Sequence, residues 1–163
     1  MIEIEIQGIE RLGEAFASMA DHVRDFRPRI WPPVNARFTE IMIEQFDSEG
    51  ASGDSGPWLP LSPNYEVWKE KNYPGQPILE LTGNLRRSFM GPFNPNAHYV
   101  ETPDLLERGS TVPYAAYHQT GTSRMTARPP IDLTPAQAES LRDAAMGAFS
   151  EIGIELGFEV TLG

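Results

Sequence analysis

The sequence predicts an α+β fold: a small antiparallel sheet packed against two or three long helices, with an irregular Pro- and Gly-rich middle segment, all within a single domain over residues 1–163. Three observations predict it. Isoleucine alternates with polar residues at the start of the chain, apolar residues recur at helical spacing in three long runs, and Gly56 to Phe89 between them is rich in Pro, Gly and large aromatics. The order is strand, helices, irregular middle, strands, helix, strand, which suits α+β rather than a parallel βαβ sheet.

Ile2, Ile4 and Ile6 alternate with Glu3, Glu5 and Gln7, so the chain is expected to open with a half-buried strand ending at Gly8. Ile9, Leu12, Phe16, Met19, Val23 and Phe26 then fall on one stripe of a helix running to about Arg27. The stripe is too short for a convincing coiled-coil seam, so it is expected to pack on the protein's own core. Pro28, Pro32 and Pro33 interrupt the pattern. Val34, Phe38, Ile41, Met42 and Gln45 share a face of a second helix, with Pro33 tolerated in its first turn and an end near Asp47 or Ser48.

Residues 49–57 are small, polar and Gly-rich and are expected to form a mobile surface loop. Ser62-Pro63 can open a short helix carrying Tyr65 and Trp68, and Thr82-Gly83 another, with Leu85 and Phe89 inward and Arg86 and Arg87 outward. His98–Thr102 and Leu105–Ser110 read as a hairpin, Pro113–Gly121 as a helical turn closed by glycine, and 121–130 as an exposed loop. Thr134-Pro-Ala-Gln137 is a capping-box start. Ala138, Leu141, Ala145, Ala148, Ile152 and Leu156 mark the buried stripe of the helix that follows, which should stop at Gly157 before a final strand over Phe158–Thr161.

The chain has no cysteine, so disulfides and thiolate metal sites are excluded. No signal-peptide pattern opens it and no run is long enough to span a bilayer, so a soluble, unexported protein is expected. The net charge of −10 divides unevenly: −6 over residues 1–54, +1 over 55–100, −1 over 101–133 and −4 over 134–163. That balance argues against tight DNA binding, because phosphate neutralisation by Lys and Arg supplies most non-specific affinity.

Motifs that suggest chemistry are weak. Gly53-Asp-Ser-Gly-Pro57 resembles a serine-protease nucleophile motif, but two helices precede it where such enzymes need β-barrels, and His22 lies on a predicted helix. A hydrolase using Ser55 is therefore the unfavoured alternative to an ordinary glycine-rich loop. His22, His98 and His118 lack the spacing that places two imidazoles on one metal; His118 is expected to be a buried hydrogen-bonding or interface residue. Gly50, Gly53 and Gly56 do not form a phosphate loop, and Glu66 and Glu70 sit beside Lys69 and Lys71 on what reads as a solvated face. No catalytic residue, metal ligand or cofactor is expected. Arg86 and Arg87 are too few for a nucleic-acid patch and match a partner's carboxylates equally well.

Several separated motifs together resemble the phage virion-morphogenesis family, the tail-completion proteins of Mu-like phages. They are Gly56-Pro-Trp-Leu-Pro-Leu-Ser-Pro63, Trp68-Lys69 with Lys71, Ile78-Leu-Glu-Leu-Thr-Gly-Asn-Leu-Arg-Arg-Ser-Phe89, Gly109-Ser110, Tyr114-Ala-Ala-Tyr-His-Gln119 with Gly121, and Ala127-Arg-Pro129. After Pro129 the chain departs from the family's Phe-Leu-Gly-Leu and has Pro130-Ile-Asp-Leu133. The resemblance implies a structural protein of the virion, assembled in the host cytoplasm, that sits at the head–tail junction as a ring of several copies, six being expected. Implied partners are the tail tube or tail terminator and the head connector, with DNA passing through the channel unbound and no membrane; a head-side connector or adaptor is the alternative. Trp58, Tyr65, Trp68, Arg86, Arg87 and Arg128 are the expected protein-contact residues. For the tryptophans the competing expectation is burial in their own subunit, and for the arginines plain exposure.

Overall fold

The computed structural model describes residues 9–156, side chains from residue 14 onward, and within them the fold is α+β. The expected opening strand at Ile2–Gln7, the stop at Gly157 and the closing strand at Phe158–Thr161 lie outside the described residues. The elements are α1 (Ile9–Arg24), α2 (Trp31–Asp47), α3 (Pro63–Asn72), α4 (Asn84–Ser88), β1 (Ala97–Glu101), β2 (Leu106–Ser110), α5 (Ala115–Thr120) and α6 (Pro135–Glu155).

Helix α1 stops three residues before the expected Arg27. Residues preceding proline avoid the helical region, and here the Phe26 amide leaves the helix to donate to the Pro103 carbonyl at 2.8 Å. Met19 and Phe26 pack inward as the periodicity requires, but Phe16 and Val23 are exposed, so the stripe is only partly covered by the described residues. Helix α2 carries Pro32 and Pro33 in its first turn, where amides have no intrahelical acceptor to lose. It buries Phe38, Ile41, Met42, Gln45 and Phe46, and it packs along α6, the central contact between helices.

The larger core gathers Phe38, Met42, Phe46, Trp58, Leu85, Phe89 and Val112 at the C-terminal part of α2. A smaller one at its N-terminal end joins Ile30, Ala148 and Ile152, with Phe26 edge-on to both Trp31 (5.1 Å) and Phe149 (5.6 Å). Helix α6 starts with the full reciprocal capping box between Thr134 and Gln137. Its buried stripe is Ala148 and Ile152 with Leu141, Ala145 and Leu156 half covered, whereas Ala138 is exposed, a correction to the expected stripe.

The hairpin pairs β1 and β2 antiparallel, with Tyr99 opposite Arg108. It docks through Arg108, whose guanidinium donates to Asn35 Oδ1 (2.6 Å) and the Phe89 carbonyl (2.6 Å) and lies over the Phe38 and Tyr99 rings. One side chain thus ties the hairpin to α2 and to the end of α4.

Two expected loops are tied down rather than free. In 49–57 the Gly50 amide donates to Gln45 O (2.8 Å), the Trp58 amide to Glu49 O (2.7 Å) and the Ser55 amide to Asp132 Oδ2 (2.7 Å). In 121–130 the tip is exposed, but Arg128 and Pro130 are buried. The reason is the same for both: residues 128–132 form a strap that lies against 49–60, so each segment supplies the other's hydrogen-bond partners.

Candidate assembly interface

The strap is held by three side chains from outside it and by Arg128 of its own. Pro129 O accepts from Trp58 Nε1 (3.1 Å) and Gln45 Nε2 (3.3 Å), and Gln119 clasps Ile131 through both halves of its amide (2.7 and 3.2 Å). Arg128 donates outward from the strap, through Nε to Leu59 O and through Nη2 to Pro60 O, each at 2.7 Å. Trp58 is buried against Phe46, edge-on at 5.4 Å. Trp58 and Arg128 therefore lie inside the subunit, and for Trp58 the competing expectation, burial in its own core, is the arrangement seen. They fix the backbone on which neighbouring residues are displayed.

What they display is α3. This helix buries only Lys69, while Tyr65, Val67 and Trp68 stay exposed with Leu59 before them and Tyr73 after them. Tyr65 and Trp68 stack at 5.5 Å with 22° between ring planes, and Tyr73 leans on Trp68 at 5.8 Å. A row of three rings is thus ordered on the outside of the subunit. Ordered exposed aromatics are what interfaces use, since they give large contact area for little lost side-chain entropy.

Arg86 is not simply outward, as its position on α4 suggested, but half-buried. It bridges Asp47 (2.6 Å) and Glu80 (3.1 Å), and although burial opposes its charge, those two carboxylates more than offset it and raise its pKa. It ties the arm carrying α3 back to the end of α2. Arg87 is exposed, with Nη2 on Thr82 O (2.8 Å) and Asn84 Oδ1 (2.7 Å) and no carboxylate.

Between α3, residues 79–85 and the stretch from Tyr114 to Arg128 lies a groove of about 740 Å³. Lys69 reaches it from α3 and donates to the Pro77 carbonyl; burial lowers its pKa against the opposing pull of Glu49 and Glu80. His118 lies on the opposite wall with its Nδ1 buried and unpartnered, and burial, reinforced by the Arg128 charge, lowers its pKa and favours the neutral ring. It is half-buried, without the expected hydrogen bond at that atom.

Ser55 donates its hydroxyl to Asp132 Oδ1 at 3.2 Å while its amide donates to Oδ2 of the same carboxylate. The group beside Ser55 is a carboxylate that pins a loop, not an imidazole that takes a proton, so the geometry is that of a clamp. Among the described residues no cluster of three or more His, Asp or Glu stands ready for a metal, and no helix is long and apolar enough to cross a membrane.

Sequence reasoning missed Arg108, the burial of Lys69, and the long-range bonds of Gln45 to Pro129 O and of Gln137 to Ser52 O. Gln137 belonged to the capping box, but its second bond, to Ser52 O at 3.1 Å, joins elements 85 positions apart and leaves no local signature.

No curated protein and no solved structure matches the chain. A family model does, over residues 8–150, a span that includes α2, the clamp, the α3 arm, the groove and the strap. Its extent, taken with the motifs that build those parts, places the chain in the phage virion morphogenesis family.

Proposed function

We propose that this protein is a structural, non-enzymatic component of the head–tail junction, acting as a closed ring of copies that completes or terminates the tail and joins it to the head. Family membership carries the reading, since virion morphogenesis is assembly work. The surface supports it. A ring needs two different faces per subunit, each covering on the order of 800 Å². The aromatic row on α3 is a candidate for one of them.

In the proposed ring the tail tube or terminator lies on one side and the head connector on the other, with DNA passing through without specific contacts. An acidic protein suits such a channel, because carboxylates repel the phosphate backbone.

The test is electron microscopy of lysates from a phage with an early nonsense codon in this gene. Filled heads beside detached tails of normal length are expected; overlong tails would make it the terminator, and normal infectious virions would end the structural reading. Ser55→Ala is expected to leave infectivity intact, whereas a serine hydrolase would lose all activity.

A further inference from the structure

The groove beside α3 differs in charge from the rest of this acidic protein. Ion pairs occupy Arg24, Arg27, Arg29, Arg37, Arg86 and Arg142. Lys69 and Arg128 line the groove but are buried, with their donors on the carbonyls of Pro77, Leu59 and Pro60. Arg124, which also lines it, is exposed with no carboxylate partner among the described side chains, and Arg87, equally unpaired and exposed, flanks it with its guanidinium over Gly83. One acid, Glu80, lines it too, and it is already engaged by Arg86. The remaining walls are largely apolar, with Tyr65, Leu79, Leu81, Tyr114 and Met125. Leu79 adopts the left-handed backbone region at φ 63°, an arrangement that costs about 1–2 kcal/mol for a residue with a Cβ and persists only where the surroundings impose it.

An apolar trough edged by the exposed guanidinium groups of Arg124 and Arg87 fits an extended segment in which apolar and acidic side chains alternate. The chain contains one, Ile2-Glu-Ile-Glu-Ile6. When extended it presents isoleucines to one side and Glu3 and Glu5 to the other. The second half of its own helix is anchored away from the groove. Met19 and Phe26 sit on the small cluster at the Trp31 end of α2, whereas the arm that walls the groove is fastened at the Asp47 end, a helix length of roughly 25 Å away.

We propose that this groove receives residues 2–6 of a second copy, so that each subunit binds the N-terminal segment of its neighbour and offers its own to the next. Such a contact joins two different surfaces and is heterologous, as ring closure demands. It rests on the ring reading above and specifies where the copies touch.

The cysteine-free sequence gives a clean test. Glu5→Cys and Arg124→Cys chains, mixed equally, are oxidised mildly in solution and in virions complemented with both, then run on non-reducing gels. A covalent dimer in the mixture, several-fold above either variant alone, is expected. Arg124→Glu is expected to weaken self-association roughly threefold to tenfold, and adding Glu5→Arg to restore it. Multiple copies in virions without the cross-link overturn the groove assignment and leave the ring standing. A single copy per virion, or none, overturns both. An intrachain bond in the Glu5→Cys/Arg124→Cys double variant diluted with unmodified chains shows docking within one subunit and also overturns the proposal.

Discussion

Gly50 shows how one residue can hold the arm in place. Its backbone is left-handed at φ 88°, and a Cβ there would fall 2.5 Å from Trp58 Cδ1 and 2.8 Å from Cγ. That ring cannot yield, because Phe46 meets it edge-on and Pro129 O holds its Nε1. Gly56 is a useful contrast, with φ 78° but open space where a Cβ would go. Gly56→Ala should therefore cost only the backbone strain, about 1 kcal/mol, and Gly50→Ala at least about 3 kcal/mol, since strain and overpacking add. Urea denaturation of the two variants reads the difference directly; equal losses would show that the Trp58 ring moves aside freely. The same residues show where sequence reading stops. Trp58 and Arg128 read as contact candidates from the family-like motifs that carry them, and nothing local reveals that the carbonyls of Leu59, Pro60 and Pro129 wait for them.

At the scale of elements, what was legible was whatever repeats. The 3.6-residue period located α2 and α6, the capping box placed the start of α6 at Thr134, and the turn residues bounded the hairpin. The strap and the clamp repeat nothing. Their order comes from pairings between residues 49–60 and 128–132, which no window of sequence contains. Gln137 couples the two kinds of information, because it completes the cap with Thr134 and also holds Ser52 O in the clamp. Thr134→Ala removes the cap's acceptor and should cost about 1 kcal/mol, within the usual range for N-caps. Gln137→Ala should cost more, about 2 kcal/mol, because it also leaves the half-buried Ser52 carbonyl unpaired. Thermal unfolding of the two variants checks the ranking, and the reverse order would show that Gln137 contributes nothing beyond the cap. Hydrogen exchange at the Ser55 amide, bound to Asp132, should quicken in Gln137→Ala more than in Thr134→Ala.

Taken as a whole, the subunit divides its aromatics between two tasks. Trp31 and Trp58 hold the two cores, whereas Trp68, with Tyr65 and Tyr73, is kept outside on an arm whose own fastenings are Arg86, Arg128 and Lys69. Three cationic side chains and a buried tryptophan hold an exposed patch rigid, an arrangement that gains nothing for the isolated subunit and suits a surface meant to be covered. The energetic consequences separate cleanly. Trp68 is 46% exposed and packs mainly on two neighbours that are themselves exposed, so Trp68→Ala should change subunit stability by about 0.5–1 kcal/mol at most, the scale of a surface aromatic pair. If the row is buried between copies, the same substitution removes an interface anchor and should cost 2 kcal/mol or more of association, roughly thirtyfold in the dissociation constant. Urea denaturation of the dilute chain and sedimentation across a concentration series measure the two quantities independently. A loss confined to association supports the arm as one face of the ring. A loss confined to stability would make α3 part of the subunit's own architecture and move the ring contact elsewhere.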